Sequence, residues 1–384
     1  MSDSSALRIA CIGFGNMGWQ HFCALNQHPD WEVAAICDLD PERLKKSAEA
    51  APQARRTDDF QSILDDASVD AVSINTLSNI RPALVLRALE AGKHVQAEKP
   101  IAETPDKAFD LAEKVRAFPD LVCATNLFSR NASTHRDALV RLRAGEIGIL
   151  TVIRISHCTP GPDLLRRENY SVTQVAGGHT LHDCGIHYVD LVRWFADAEI
   201  TEFDTRAFGF WEAEYDKHFM THGICENGVG FEINNSFCYT TLADTQRNHS
   251  FVELIGSKGV ITIRHDFNHS YVEINTPEET LRRTQPYGGK NLKTLYAEFA
   301  AAVRGEDASL LPRFEDAARS SVTAQAMVDQ ALARCLPSRS PGKELEDAIA
   351  SGQRHYIPHA HGDKRPDGRA VHPVVEEDLR AAAR

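Results

Sequence analysis

No stretch of this sequence approaches the roughly 18 consecutive apolar residues needed to cross a bilayer, and the opening MSDSSALR carries no apolar segment behind a basic start. Neither a membrane span nor a secretory leader is expected, and the cytoplasm is the expected compartment. Lys and Arg never cluster into a basic stripe, and a formal charge of -12 would repel a phosphate backbone, which argues against nucleic acid as a partner. Nine cysteines are present (Cys11, Cys23, Cys37, Cys123, Cys158, Cys184, Cys225, Cys238, Cys335), but none forms a CxxC pair. Several fall in strand-like apolar runs, where a thiol behaves as a small hydrophobe in a reducing compartment. No internal repeat is seen.

What remains is an ordinary globular composition, 42% hydrophobic and 25% charged, over 384 residues. That length exceeds one core at roughly 150 residues per domain, so two domains, or three, are expected. Leu7 to Ile12 is a short apolar run bounded by glycine, and Met17 to Leu25 can begin a helix. Val33 to Cys37 reads as a second strand, Pro41 opens a second helix, and Val69 to Ile74 is a third strand. Pro82 to Ala91 is a helix ended by Gly92, and His94 to Ala97 another strand. This alternation predicts right-handed crossovers and a doubly wound parallel sheet, an α/β Rossmann domain over residues 1–125.

From about Leu150 the pattern changes. Thr151 to His157, Gly228 to Thr241, Ser250 to Ile255 and Val260 to Ile263 predict a large, mostly antiparallel open sheet in an α+β domain over 126–336. Helices are expected over Thr180 to Phe195, Thr294 to Val303 and Glu315 to Cys335, the last packing back towards the first domain. Residues 337–384, rich in Pro, Gly, His and charge, predict an extended tail.

Gly13, Gly15 and Gly18 make GFGNMG between a strand and a helix, where backbone amides and the helix N-terminus can meet a pyrophosphate. Phe14, Asn16 and Met17 complete that turn. GxGxxG alone is also an ordinary tight turn, but Asp38 ends the second strand 20 residues after Gly18, where a carboxylate can accept both ribose hydroxyls. Its charge would repel a 2′-phosphate, and Leu39 and Asp40 offer no cation in its place, so NAD is expected, with NADP as the alternative. Thr76, Glu98 and Lys99 lie at strand ends on the carboxyl edge, where ligands of open α/β sheets bind. Arg81 reads either as a solvated residue at a helix start or as a cation aimed at an acidic group.

In GGHTLHDCGIHYVD, Asp183, His187 and Asp190 recur at spacings of four and three and so would share one face of a helix. A carboxylate beside an imidazole suits proton transfer. His179, Asp183 and His187 are also four apart, the spacing of three ligands to a divalent ion, with His182 beside them. Hydride chemistry with a lysine present needs no Lewis acid, so no metal is expected.

GFGNMG, AGKHVQAEKP and GGHTLHDCGIHYVD, in that order, resemble the Gfo/Idh/MocA oxidoreductase family. The resemblance runs from about Leu7 to Leu336 and includes IGSKGVITI and FAAAVRGEDASLLPRFEDAARSSVTAQAMVDQA. It implies a Rossmann domain followed by a domain whose open sheet lies behind the active site and often mediates oligomerisation, here as a homodimer or homotetramer. It places the family's lysine at Lys99, its substrate-binding aspartate at Asp183 and its proton-transferring histidine at His187. The implied reaction is hydride transfer between nicotinamide and a secondary alcohol or ketone of a sugar, sugar derivative or inositol. Redox-neutral glycosidase or elimination chemistry by retained NAD is the alternative, and a non-catalytic dinucleotide sensor is a further one.

The sequence departs from the family pattern in two places. Many relatives read T-P-N-x-x-H where this chain has Thr76, Leu77, Ser78, Asn79, Ile80 and Arg81, and the usual GGG is Gly177, Gly178, His179. Asn126 and Arg130 follow a fifth strand-like run, where relatives present polar residues to substrate or shape the domain junction. Arg166 and Tyr170, in the segment Thr159 to Gln174, are candidates for substrate contact, as is His179.

Overall fold

Short apolar runs covered on both faces make the central strands of the first sheet, as a parallel sheet requires. It contains β1 (Leu7–Ile12), β2 (Trp31–Cys37), β3 (Arg55–Thr57), β4 (Ala71–Ile74), β5 (His94–Ala97) and β6 (Cys123–Thr125). All pairings are parallel, in the order β3-β2-β1-β4-β5-β6. Strand order reverses between β1 and β4, and the carboxyl ends there flank the crevice in which doubly wound folds bind ligands. The computed structural model describes residues 6–159, 181, 184–208, 218–237, 248–266 and 268–334.

The covering helices are α1 (Asn16–Leu25), α2 (Pro41–Ala50), α3 (Phe60–Leu64), α4 (Arg81–Glu90) and α5 (Pro105–Lys114). α2 starts with Pro41 at its first position and Asp40 accepting the Glu42 N–H at 2.9 Å, the usual chemistry of a helix start. β3 and α3 are additions to the sequence reading, which ran from the Pro41 helix straight to Val69. The strand residues Arg55, Arg56 and Thr57 have no apolar periodicity, and edge pairing with β2 makes them a strand.

After α6 (Ser133–Arg143) the chain forms eight strands, β7 (Leu150–Cys158), β8 (Ile200–Phe208), β9 (His218–Cys225), β10 (Gly230–Ser236), β11 (His249–Gly256), β12 (Val260–His265), β13 (His269–Asn275) and β14 (Thr280–Pro286). Their order is β14-β13-β12-β11-β7-β10-β9-β8; β7 and β10 run parallel and the other neighbours antiparallel. Ile155 lies opposite Ile233 and Val252, and this register turns one apolar row inward. There it packs on α7 (Ile186–Ala196) and α9 (Phe314–Leu332) through Val189, Val192, Met327 and Val328.

Within the expected helix over Thr180 to Phe195, Leu181 is helical, and a turn interrupts the run before its main length. Cys184 and Gly185 form a turn, closed by Tyr188 N–H to Gly185 O at 2.8 Å, and the α-helix proper begins at Ile186. Leu181 presses so close that a Cβ on Gly185 would lie 2.4 Å from its carbonyl oxygen. Thr180, His182 and Asp183 lie outside the described residues.

The late helices return to the first sheet. α8 (Leu292–Val303) packs Leu295, Tyr296 and Phe299 against Phe14, Phe22 and Ile36, and Phe299 stacks on Trp31 at 5.3 Å. α9 adds Phe314, Ala317 and Ala318 to the core beneath α5 while its other end packs on the second sheet.

Candidate active site

The turn after β1 is shaped by backbone contacts that no side chain could share. Gly13 has φ 82° and Gly18 packs so tightly that a Cβ would lie 1.9 Å from the Gly13 carbonyl oxygen. At Gly15 the nearest atom to such a Cβ is Arg43 at 3.8 Å, so the middle of the turn stays open to a close-approaching group. α1 has no side-chain cap, which leaves its first amides for an anion.

Asp38, nearly buried at the end of β2, braces this turn: one oxygen accepts the Phe14 N–H at 2.5 Å and the other the Asp40 N–H at 2.8 Å. Arg43, from the first turn of α2, approaches the same carboxylate at 3.4 Å and Asp40 at 3.3 Å. The cation that Leu39 and Asp40 do not supply is thus brought in by the helix. Leu39 is 85% exposed beside Asp38, and Leu77 and Ile80 are exposed after β4, so apolar side chains rim the crevice. Among the described residues, the buried Asn75 Oδ1 and Thr76 Oγ1 at the end of β4 have no hydrogen-bond partner. Polar atoms in that state accommodate a ligand's donors and acceptors. An open glycine, an uncapped helix start, a carboxylate at the second strand and orphaned polar atoms together fit a dinucleotide.

Beneath the crevice runs a buried polar network. Glu98 accepts from His21 Nε2 and Asn126 Nδ2, both at 2.7 Å. His21 Nδ1 meets the Tyr296 hydroxyl at 2.7 Å, and that hydroxyl meets Ser73 at 2.7 Å and Gln96 at 3.1 Å. Burial acts to raise the Glu98 carboxyl, but the His21 hydrogen bond and charge, followed by Lys290 and Asn126, hold it well below the ordinary carboxylate range. Glu98, expected to face cofactor, and Asn126, expected to face substrate, thus turn their polar groups towards each other. Lys99 follows on the half-buried rim, joined to Pro100 by a cis peptide bond.

Arg81 is neither solvated nor aimed at a ligand. It is buried, with its guanidinium donating to the carbonyls of Thr76 and Pro100, so it ties the end of β4 to the segment after β5. Burial lowers it to about 10, with the Glu98 charge opposing.

His187 stands in the first turn of α7, 2% exposed, its ring 4.2 Å from that of Phe128. Burial first, and the Lys99 ammonium second, push the imidazole well below its ordinary value of 6.5, so it is neutral; its Nδ1 has no hydrogen-bond partner among the described residues. His157 lies behind it, stacked on Tyr188 at 5.0 Å and lowered by burial to about 4.

Asp190 does not join His187 in a working pair. Both its oxygens are taken by Arg130, at 2.7 and 2.6 Å, and Arg130 also reaches Asp316 at 3.2 Å. Arg130, expected among the substrate contacts, is therefore held inside the junction of the two domains. Arg166, Tyr170, His179 and Asp183 lie outside the described residues, as does the three-ligand metal alternative built on His179 and Asp183. Sequence reasoning missed His21, Ser73, Asn75, Gln96, Tyr296 and Lys290. His21, three residues after Gly18 on the apolar face of α1, was the one with a local signal.

Fold and site define a two-domain dinucleotide-binding protein with a neutral histidine and a lysine at the carboxyl edge of its parallel sheet. The chain belongs to the Gfo/Idh/MocA oxidoreductase family: the family's NAD-binding Rossmann profile matches residues 7–123 and its C-terminal domain profile residues 135–262. It is 30% identical over 204 residues to an inositol 2-dehydrogenase of Acidothermus cellulolyticus, covering 53% of this chain and 57% of that protein. It is likewise 30% identical over 194 residues to the D-glucoside 3-dehydrogenase of Escherichia coli, covering 49% and 53%. The chain thus spans about half the length of the curated relatives it matches. Among solved structures, its fold resembles levoglucosan dehydrogenase in complex with NADH, with TM-score 0.72, 21% identity, and 86% and 98% of the two chains covered. It also resembles scyllo-inositol dehydrogenase from Lactobacillus casei with bound NAD(H) and scyllo-inositol, with TM-score 0.72, 19% identity and the same coverage.

Proposed function

We propose that the protein is an NAD-dependent oxidoreductase, with NADP as the alternative cofactor, acting on a secondary alcohol or ketone of a sugar, sugar derivative or inositol. The observation that carries this reading is the buried, neutral His187 within the field of Lys99, which follows β5 at the carboxyl edge of the parallel sheet. The names of the matched relatives, which act on cyclitol and glycoside rings, support the substrate class.

The cofactor contacts in this reading are Gly13, Phe14, Gly15, Asn16, Met17, Gly18, Asp38, Thr76, Glu98 and Lys99, with Glu98 acting by fixing the strand end that presents Lys99. Bound NAD supplies the hydride acceptor. His187 takes the hydroxyl proton, which only its neutral form can do. Lys99 holds the substrate oxygen and, second to burial, helps keep the imidazole neutral by its charge; Asp183 completes the catalytic set by orienting the hydroxyl. Residues 1–125 form the cofactor domain, 126–336 the substrate and assembly domain, and 337–384 a tail, in a cytoplasmic homodimer or homotetramer.

The test is a screen of sugars and inositols with NAD and NADP on untagged protein, following NADH absorbance. NADH accumulating with one ring polyol is the expected result. Bound NAD with no accumulation on any ring polyol contradicts a net dehydrogenase.

A further inference from the structure

The loop between β14 and α8 reads Tyr287, Gly288, Gly289, Lys290, Asn291. Both neighbours of Lys290 adopt left-handed backbone, Gly289 at φ 58° and Asn291 at φ 46°. Outside glycine, the described residues hold one other such case, Asp197 at the end of α7. Glycine and asparagine are the residues that enter this region most readily, so the sequence permits a sharp turn here and surrounding contacts fix it. The contacts are present: Asn291 Nδ2 donates to Asn131 O at 2.6 Å, Asn291 N–H to Gly288 O at 3.1 Å, and Tyr287 N–H to Asn268 O at 2.8 Å.

The loop carries Lys290 across to the first domain, where its Nζ lies 2.8 Å from Sδ of Met17 in the first turn of α1. Met17 belongs to the glycine turn, where α1 starts without a side-chain cap, so this contact sets the Lys290 ammonium beside amides that can meet an anion. The Lys290 charge also acts on Glu98 and His187, lowering both.

We propose that Lys290 is a cofactor-binding residue lent by the second half of the chain, its ammonium pairing with the pyrophosphate of the dinucleotide beside the α1 amides. This inference rests on the dinucleotide reading but not on the identity of the alcohol. It makes cofactor affinity depend on the β14–α8 loop as well as on the Rossmann domain.

The test is fluorescence titration of the full-length wild type, Lys290→Met and Lys290→Arg with NADH, at low and high salt. Lys290→Met is expected to weaken NADH binding roughly tenfold or more, the scale of a lost charge-assisted contact, and to flatten its salt dependence. Lys290→Arg should restore most of the affinity, and kcat at saturating cofactor should change only a few-fold. Wild-type NADH affinity in Lys290→Met overturns the proposal, and so does equal loss in both variants, which marks a structural role. A raised KM for the alcohol with unchanged NADH affinity also overturns it, by moving Lys290 to the substrate. Failure of the wild type to bind NADH strikes the dinucleotide reading itself.

Discussion

His187 is where burial becomes chemistry. An ordinary imidazole would be half protonated at 6.5, but burial and Lys99 lower this one well below that value. The base form therefore persists as pH falls through 6.5, and the acid limb of kcat/KM for alcohol oxidation is expected below it. An acid limb at or above 6.5 that disappears in a His187 variant would contradict this. Asp190, three residues on, has a different duty: it neutralises the buried Arg130 at the domain junction. Asp190→Ala is expected to cost about 3 kcal/mol or more, because it strips a buried cation of its bidentate partner. A urea midpoint equal to wild type would show the pair to be dispensable. Lys99 and His187 could be singled out as candidates from the sequence alone, since each sits in a recognisable local motif. Spacing misread Asp190, because the identity of its partner, Arg130, 60 residues earlier, is a tertiary fact.

At the scale of elements, the glycine turn is the most constrained feature. Gly18→Ala would force its Cβ against the Gly13 carbonyl oxygen at 1.9 Å, so the turn must open or α1 must shift. A stability loss of about 1–3 kcal/mol is expected, with weaker NADH binding, both read by thermal melts with and without NADH. Unchanged NADH affinity would mean that the turn does not hold the pyrophosphate. β1, β2, β4 and β5 were readable because strands covered on both faces are continuous apolar runs. β14 was not: Thr280–Pro286 alternates between exposed and half-buried residues and carries two arginines, and its strand character comes from pairing with β13. The break ahead of α7 was not read because periodicity does not register the i→i+3 turn at Cys184 and Gly185.

Over the whole molecule, the two halves of the chain share one polar spine. Tyr296 of α8 reaches His21 of α1 across 275 positions of sequence, and through it Glu98, so the late helix helps hold the strand end that presents Lys99. No local signal reveals such a link. The outer face of the eight-stranded sheet exposes Met220 and Ile224 on β9 and Tyr271 on β13, with the ion pairs of Arg154 to Glu232 and Glu253 between them. Light scattering is expected to give a dimer or tetramer, and a monomer at micromolar concentration would contradict the proposed assembly. No helix among the described residues is long and apolar enough to cross a membrane. The account turns on His187, and the most direct test is His187→Ala assayed with the best ring polyol, alongside NADH titration of the same preparation. Turnover is expected to fall about 100-fold or more with NADH affinity unchanged; wild-type turnover in that variant would remove His187 from the mechanism.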